Sequence, residues 1–215
     1  MADVKAPAPP ASSRRSQAQQ TRVRMIRAAH QLFVERGYSG TRMADVAAVA
    51  GVAVQTVYFR FHTKAELLQA CYELAVVGEG APLPPPLQPW YRAVMTADSG
   101  PVAMRHFAEG NTSIVARVGL LDDVVRSALH EPDAVAVRAH NEQLRRDGYR
   151  DIVVHLDDRF GLRPPLTIGT ATDLLLLVGS AAPYRSLVVE CGWTLPAFVD
   201  WLATALVELL LASPR

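Results

Sequence analysis

Apolar residues recur at helical spacing along most of the chain. Between about residues 16 and 36, positions such as Ile26, Ala29 and Phe33 lie three or four apart, and Gly37 follows as a stop signal. Pro and Gly separate the later helices, which we predict at about 90–98, 101–117, 119–129, 133–159, 168–190 and 195–212. No segment alternates like a β-strand, so we expect an all-α fold.

Two short helices joined by a tight turn are predicted after the first helix. Thr41 is a natural N-cap for the first of them, and Gly51 ends it. The second begins three residues later, with Val57 and Phe61 on its inward face. Thr63 caps a third helix behind them. Short helices around a glycine turn form a helix-turn-helix.

The net charge of +1 conceals two segments of opposite sign. Residues 14–64 carry nine Lys or Arg against two acidic residues, a net charge of +7, whereas residues 65–215 carry twelve against eighteen, a net charge of −6. This split indicates a polyanionic partner for the N-terminal segment. A solvated basic surface is the alternative.

Inward packing of the second short helix leaves its other side in solvent. The outward residues are Val54, Gln55, Tyr58 and Phe59. An exposed apolar surface is costly unless a partner covers it, and a DNA major groove suits this one. The Gln55 amide can donate a hydrogen bond to adenine and accept one from it, and Val54 can contact a thymine methyl group. The hydroxyls of Thr56 and Tyr58 reach phosphate.

Two cations flank this face. Lys64, at the start of the third helix, favours a phosphate together with the first amides of that helix. Arg42 points at the DNA backbone or into a flanking minor groove. The alternative to DNA contacts is that these residues have structural roles. Tyr58 would then lie at the rim of the core, and Val54 would be buried. Arg42 and Lys64 would then be solvated charges.

The stretch GTRMADVAAVAGVAVQTVYFRFHTKAELL resembles the DNA-binding domain of TetR-family transcriptional regulators, without a gap. The resemblance covers about 50 residues and implies contacts with operator DNA by Thr41, Arg42, Gln55, Thr56, Tyr58 and Lys64. Two positions depart from the family pattern. Ala53 replaces the usual Ser, which removes a helix cap and costs about 1 kcal/mol. Arg60 replaces the usual His or Tyr and adds a phosphate contact.

These patterns divide the chain into three parts. We expect a disordered tail over residues 1–15, a three-helix helix-turn-helix DNA-binding domain over residues 16–64, and a larger helical regulatory domain over residues 65–215. In the last domain we expect effector binding and dimerisation.

The last predicted helix is apolar over most of its circumference. Asp200, Thr204 and Glu208 form its polar stripe, so the helix is expected to be buried on two sides, one of them against a second copy of the chain. The helix at 168–190 is its expected companion. The stretch YRSLVVECGWTLPAFVDWL resembles the end of TetR-family regulatory domains, and this resemblance implies that the two helices dimerise. A buried helix in a monomer is the alternative. The predicted homodimer interface consists of Leu174, Val178, Ala181, Phe198, Leu202, Leu206 and Leu209.

An effector site is expected inside the same domain. Asn111 is the polar exception on an apolar stripe that includes Phe107, and it either bonds to the backbone or meets a ligand. The family resemblance implies a small-molecule effector, which we expect to be hydrophobic. The predicted pocket residues are Phe107, Asn111, His140 and Leu144.

Other functional classes have little support. The chain lacks the GxSxG, P-loop, GxGxxG and HExxH motifs, so we expect no enzyme and no cofactor. His140 and His155 have no Cys or Glu at ligand spacing, so we expect no metal. The apolar runs are broken or too short for a bilayer and no secretory signal is visible, so we expect a cytoplasmic protein without a membrane partner.

Two functions from different classes remain. The first is a homodimeric, effector-responsive repressor that binds double-stranded DNA at a pseudo-palindromic operator. The second is a helical carrier or sensor of hydrophobic molecules with an inert N-terminal unit. The basic charge of that unit favours the repressor.

Overall fold

A computed structural model describes residues 11–78 and 84–212, which are predominantly helical and contain no β-strand within these ranges. The chain divides into two compact units after Cys71. The sequence placed this boundary after residue 64. The boundary in the structure lies seven residues after the predicted one. The helix that begins at Lys64 contributes its first half to the N-terminal unit and its second half to the other unit.

Among the described residues, four helices contribute to the N-terminal unit, and the last of them also contributes to the second unit. They are α1 (Ala11–Gly40), α2 (Met43–Ala50), α3 (Val54–Arg60) and α4 (Lys64–Val77). Because α1 begins at Ala11, the last five residues of the predicted tail are helical, and residues 1–10 lie outside the described residues. Gly37 interrupts the helical backbone of α1 with φ of 73° and ψ of 173°, where a stop was predicted.

The core of this unit is built from one face of each helix. The long side chains of α1 that point inward have almost no exposed surface, and they are Met25, Ile26, Leu32 and Phe33. Val46 of α2, Val57 of α3 and Leu67 of α4 are also fully buried. Each such side chain contributes about 1.5–3 kcal/mol of transfer free energy, which holds the two short helices on α1.

In the part of the second unit that the structure describes, six further helices follow a 3₁₀ turn at Pro85–Leu87. They are α5 (Pro89–Thr96), α6 (Gly100–Ser127), α7 (Pro132–Phe160), α8 (Ile168–Val178), α9 (Ala181–Tyr184), which continues as a π-helix over Arg185–Glu190, and α10 (Leu195–Leu210).

Two predicted helix boundaries in this unit are wrong. The helices expected at 101–117 and 119–129 form the single helix α6. Glycine in a helix costs about 1 kcal/mol, which is less than the burial of Leu121 and Val125 contributes. The helix expected at 168–190 breaks after α8. The Ser180 hydroxyl accepts a hydrogen bond from the Ala182 amide at 3.3 Å and so begins α9 as a new helix.

The half-buried Asp122 joins α6 to the second half of α4. The Tyr72 hydroxyl donates a hydrogen bond to Asp122 Oδ1 at 3.0 Å. Burial raises the pKa of Asp122 above its ordinary value, and the Glu142 carboxylate adds to this shift. The hydrogen bond from Tyr72 and the charges of Arg145 and Arg126 oppose it without cancelling it.

We predict that Asp122→Asn stabilises the protein at neutral pH. Because the folded state holds the Asp122 proton more tightly than the unfolded state, stability falls as the pH rises from the ordinary carboxyl pKa through the raised one. An amide keeps an acceptor for Tyr72 and removes this cost, so the free energy of unfolding at pH 7 should rise.

Urea unfolding at pH 7 and below the ordinary carboxyl pKa of about 4 measures this effect. The gain should vanish at the lower pH, where both states are protonated. Asp123→Asn is the control, because Asp123 is half-exposed and paired with Arg185. A loss of stability in the Asp122 variant at pH 7 would contradict the prediction.

Candidate functional site

The turn between α2 and α3 has the backbone of a helix-turn-helix. Gly51 adopts φ of 65° and ψ of 42°, a left-handed conformation that other residues adopt at a cost. Its amide donates to the Ala48 carbonyl at 3.2 Å, and the Val52 amide donates to the Ala47 carbonyl at 3.0 Å. These bonds end α2 and allow α3 to begin three residues later, as the sequence predicts.

The caps of the two following helices agree with the sequence. Ala53 is the N-cap of α3 and makes no side-chain cap hydrogen bond. Thr63 accepts a hydrogen bond from the Glu66 amide at 3.1 Å and so caps α4. The start of α3 therefore depends on packing rather than on a capping hydroxyl.

Two inward residues set the rotation of α3. Val57 has no exposed surface, and Phe61, the C-cap residue of α3, is buried beside it. The adjacent aromatic residues point into solvent: Tyr58 is 51% exposed and Phe59 is 80% exposed.

The other predicted α3 residues are exposed to different extents. Gln55 and Arg60 are exposed, whereas Val54 and Thr56 are half-buried. Their contacts with DNA stay predictions. Phe59 was recognised as outward from the sequence but left out of the predicted contact set, although it is the most exposed large apolar side chain among the described residues.

Thr41 does not have the role predicted for it. Its side chain is only 2% exposed, and its hydroxyl donates to the carbonyls of Leu32, at 3.0 Å, and Gly37, at 2.8 Å. The N-cap of α2 is Arg42, in an extended conformation without a side-chain cap. The predicted cap is therefore wrong, and the Thr41 hydroxyl is not available to phosphate because the end of α1 takes it.

Lys64 also bonds to the end of α1. Its ammonium donates to the Tyr38 carbonyl at 2.9 Å and lies 4.1 Å from the centroid of the Tyr38 ring. An ammonium has three donors, so this bond does not exhaust it. Arg42 is exposed at the start of α2. A phosphate contact for either cation stays a prediction.

The four predicted pocket residues do not come together. Phe107 and Asn111 are buried in the core, whereas His140 and Leu144 are exposed on α7, Leu144 by 55%. At about 100° per residue, positions nine and five before the inward Tyr149 lie about 180° and 140° from it. His140 and Leu144 therefore face away from the core.

Asn111 bonds to the backbone, which was one of its two predicted roles. Its amide donates to the Gly179 carbonyl at 3.0 Å. The Tyr149 hydroxyl donates to Asn111 Oδ1 at 2.5 Å, and it lies 3.3 Å from the same carbonyl. Burial raises the pKa of Tyr149 to about 12, so the phenol stays protonated as a donor.

Aromatic rings pack around this network. The Phe107 ring meets Tyr149 edge to face at 5.2 Å between centroids and Trp90 at 6.3 Å. Trp90 lies directly on the backbone of α6, where a Cβ on Gly110 would come within 2.2 Å of the indole. Sequence reasoning missed this contact, and its signal is a glycine within the apolar stripe of α6.

Part of the predicted dimer interface lies inside its own subunit. Phe198, Leu202 and Leu206 are fully buried in the core, so a second chain has no access to them. They follow one another every fourth residue and form the inward face of α10. Leu209 is exposed, and Leu174, Val178 and Ala181 are half-buried.

Other large apolar residues are exposed near these positions. They are Leu177, Val189, Trp193 and Leu195. By length and composition, the segment Ile168–Glu190 could cross a membrane, and 17% of its most apolar 18-residue stretch is buried. A single segment of this kind is weak evidence for a membrane span. Here it consists of α8, α9 and a π-helix, with a break at Gly179.

Comparison with known proteins identifies the helix-turn-helix. Residues 25–71 match the family model of the bacterial regulatory proteins of the tetR family. The similarity to that family lies in the N-terminal part of the chain, over residues 25–71. A segment of 56 residues is 45% identical to the HTH-type transcriptional regulator TtgR and to the probable HTH-type transcriptional regulator ArpR, both of Pseudomonas putida. The match spans 26% of this chain and about a quarter, 27%, of each relative.

Solved structures share the fold over most of the chain. Native NalD, described as the secondary repressor of the MexAB-OprM multidrug efflux pump in Pseudomonas aeruginosa, has a TM-score of 0.68 at 19% identity. The likeness covers 93% of this chain and all of NalD. FadR of Bacillus subtilis in complex with stearoyl-CoA has a TM-score of 0.68 at 15% identity, covering 86% and 97%. The all-α fold of a helix-turn-helix and a helical second domain is thereby confirmed.

The matched family model describes bacterial regulatory proteins, and TtgR and ArpR are named as a transcriptional regulator and a probable one. Among the residues that the structure describes, no group of three or more His, Cys, Asp and Glu side chains could hold a metal ion.

We predict that Thr41→Val destabilises the N-terminal unit. The substitution keeps the shape of the side chain but leaves the carbonyls of Leu32 and Gly37 without their shared donor. The free energy of unfolding should fall by about 1–3 kcal/mol, as measured by urea unfolding. The exposed Thr96 is the control, because its hydroxyl bonds only to its own helix, and Thr96→Val should change stability by less than about 0.5 kcal/mol. Equal effects of the two substitutions would contradict this account of Thr41.

Proposed function

We propose that this protein is a TetR-type regulator, a homodimeric, effector-responsive repressor that binds a pseudo-palindromic DNA operator through α3. The observation that carries the proposal is the outward face of α3. There Tyr58 and Phe59 stand in solvent beside Gln55 and Arg60, within a segment of net charge +7. A repressor acts on chromosomal operators, which places the protein in the cytoplasm.

Physical chemistry favours duplex DNA as the partner of this face. The aromatic rings of Tyr58 and Phe59 are costly to expose to water, so a partner that covers them is favoured. The positive charge of residues 14–64 favours an anionic partner over a cationic one. A helix fits the major groove, where Gln55 matches the donor and acceptor of adenine. Arg42, Arg60 and Lys64 are placed to neutralise phosphates around that groove.

A second copy of the chain is the proposed partner of the apolar surface on the C-terminal unit. This dimer face consists of the exposed residues Leu177, Val189, Trp193, Leu195 and Leu209, with the half-buried Leu174, Val178 and Ala181 between them. It replaces the predicted set that included the inward residues of α10. A two-fold axis through this face presents two copies of α3, as a palindromic operator requires.

The proposed repressor role and the proposed effector are supported by the names of similar structures and by the aromatic core of the second unit. NalD is described as a repressor, and the FadR structure holds stearoyl-CoA. We propose a small hydrophobic effector that enters the aromatic core around Phe107 and Asn111. To release the operator it must bind the non-operator form about 10⁴-fold more tightly, which corresponds to about 5.5 kcal/mol.

We predict that selection from random duplex DNA yields a palindrome and that two variants separate the contact types. Gln55→Ala should change the preferred sequence because a base contact is lost, with the salt dependence kept. Arg42→Ala should weaken binding to all duplexes alike and lower the salt slope by about 1. Titrations of labelled duplexes at several salt concentrations measure both effects.

The control is Arg150→Ala, which removes an exposed arginine from α7 in the other unit and should change neither property. Absence of salt-dependent, sequence-selective binding by the wild-type protein would refute the regulator. Ligand binding without DNA binding would instead favour a carrier of hydrophobic molecules.

We predict that Leu177→Glu converts the dimer to a monomer. Leu177 is 67% exposed in one chain, and a two-fold interface places the new charge twice near its centre, which costs several kcal/mol. Sedimentation equilibrium should show the dimer dissociation constant rise by at least about 100-fold. Leu144→Glu is the matched control, because Leu144 is equally apolar and exposed but lies on α7. A dimer that tolerates Leu177→Glu and dissociates with Leu144→Glu would place the interface elsewhere.

A further inference from the structure

The helical path from α8 into α9 breaks at Gly179. The residue after it, Ser180, has an extended backbone with ψ of 170°, and α9 begins after that residue. The sequence contains a cause of this break four residues beyond Gly179. In a continuous helix the Gly179 carbonyl would accept a hydrogen bond from the amide at position 183, but Pro183 has no N–H.

Asn111 of α6 supplies the donor that Pro183 lacks. Its amide donates to the Gly179 carbonyl at 3.0 Å, although the two residues lie 68 positions apart in the chain. Asn111 is only 4% exposed, and a buried carbonyl without a donor is costly. The bond therefore stabilises the bent path of the backbone.

Tyr149 of α7 orients the Asn111 side chain. Its hydroxyl donates to Asn111 Oδ1, which leaves the amide nitrogen of Asn111 directed at the Gly179 carbonyl. The Tyr149 ring also lies against the backbone at the break, where a Cβ on Gly179 would come within 3.3 Å of it. Side chains from two other helices thus hold the junction of α8 and α9.

The break divides the proposed dimer face into two parts. Leu177 lies before it, in the last turn of α8, and Val189 lies after it, in the π-helix that continues α9. Each of these side chains is 67% exposed. The bend at Gly179 decides whether the two parts form one continuous surface, as a well-packed interface requires.

Other contacts hold the segment after the break farther along. Arg185 pairs with Asp123 of α6, but both side chains are half-exposed, so the pair contributes little. The Tyr184 ring packs against the Phe198 ring at 5.5 Å between centroids. These contacts lie at least four residues beyond Gly179, so they restrain the bend itself less directly than Asn111 does.

We infer that Asn111 is a positioning residue for the dimer face, which rests on the homodimer proposed above. By binding the Gly179 carbonyl, Asn111 fixes the bend between α8 and α9 and with it the relative positions of Leu177 and Val189. It does so without touching the second chain. When this bond is lost, only a fraction of the chains present both parts as one surface, and the apparent dissociation constant of the dimer rises as that fraction falls.

The test measures dimerisation of the full-length protein by sedimentation equilibrium. Asn111→Leu keeps the approximate size of the side chain but removes the donor to Gly179. The dimer dissociation constant should rise by about tenfold, because fewer chains hold the bend. Hydrogen exchange should become faster at the amides of α9 and of the π-helix that follows it.

Pro183→Ala separates positioning from a general loss of stability. Alanine gives position 183 an amide, which can bind the Gly179 carbonyl in a straightened helix. In the double variant with Asn111→Leu, the urea midpoint should therefore lie above that of Asn111→Leu alone. The dimer should stay weak, because the bend is still lost.

Two further variants complete the comparison. Asn141→Leu is the matched control, because the Asn141 amide donates to the Val137 carbonyl within its own helix, and dimerisation should not change. Tyr149→Phe keeps the bond between Asn111 and Gly179 but removes the hydroxyl that orients it. Its dimer dissociation constant should rise by about threefold, less than with Asn111→Leu.

Each outcome decides the inference. A folded Asn111→Leu protein with the wild-type dimer dissociation constant overturns it. So does a double variant that regains dimer affinity together with stability, since lost stability alone then explains the defect. If neither Asn111 variant folds, wild-type dimerisation by Tyr149→Phe overturns it. A wild-type chain that stays monomeric refutes the proposed dimer and the positioning role with it, and this result is seen before any variant is measured.

Discussion

The rotation of the seven-residue helix α3 about its own axis is the constraint on which the proposed function depends. Val57 is the one fully buried residue within α3, and Phe61 is buried at its end. Together they seat the helix on the core and force the next two positions, Tyr58 and Phe59, into solvent. Because α3 lacks a side-chain cap, tertiary packing supplies most of its stability.

Helix ends compete with ligands for polar side chains in this molecule. The sequence predicts phosphate contacts for Thr41 and Lys64. In the structure, both side chains donate hydrogen bonds to backbone carbonyls in the C-terminal part of α1. Asn111 binds the carbonyl that follows α8, and Arg117 binds the last turn of α4. The reason is general, since terminal carbonyls of a helix have no partner within it and are costly to bury alone.

The two units use apolar surface differently. In the N-terminal unit the exposed rings are few and lie on one short helix within a basic surround. In the C-terminal unit, α10 buries Phe198, Leu202 and Leu206 in the core, whereas Leu177 and Val189 are exposed. The exposed rings of the N-terminal unit suit a DNA groove, where thymine methyl groups lie between charged phosphates. The exposed apolar residues of the C-terminal unit suit an apolar protein surface.

The sequence by itself determined the all-α class, the turn at Gly51, the cap at Thr63 and the inward side of α3. These depend on residues a few positions apart, whose spacing the chain displays directly. Tertiary structure decided the acceptors of Thr41, the partner of Asn111 68 residues away, and the continuity of α6 through Gly119. It also decided which sides of α7 and α10 face inward. An almost wholly apolar helix such as α10 has no polar pattern that could define its inward side, so packing against distant segments makes that choice.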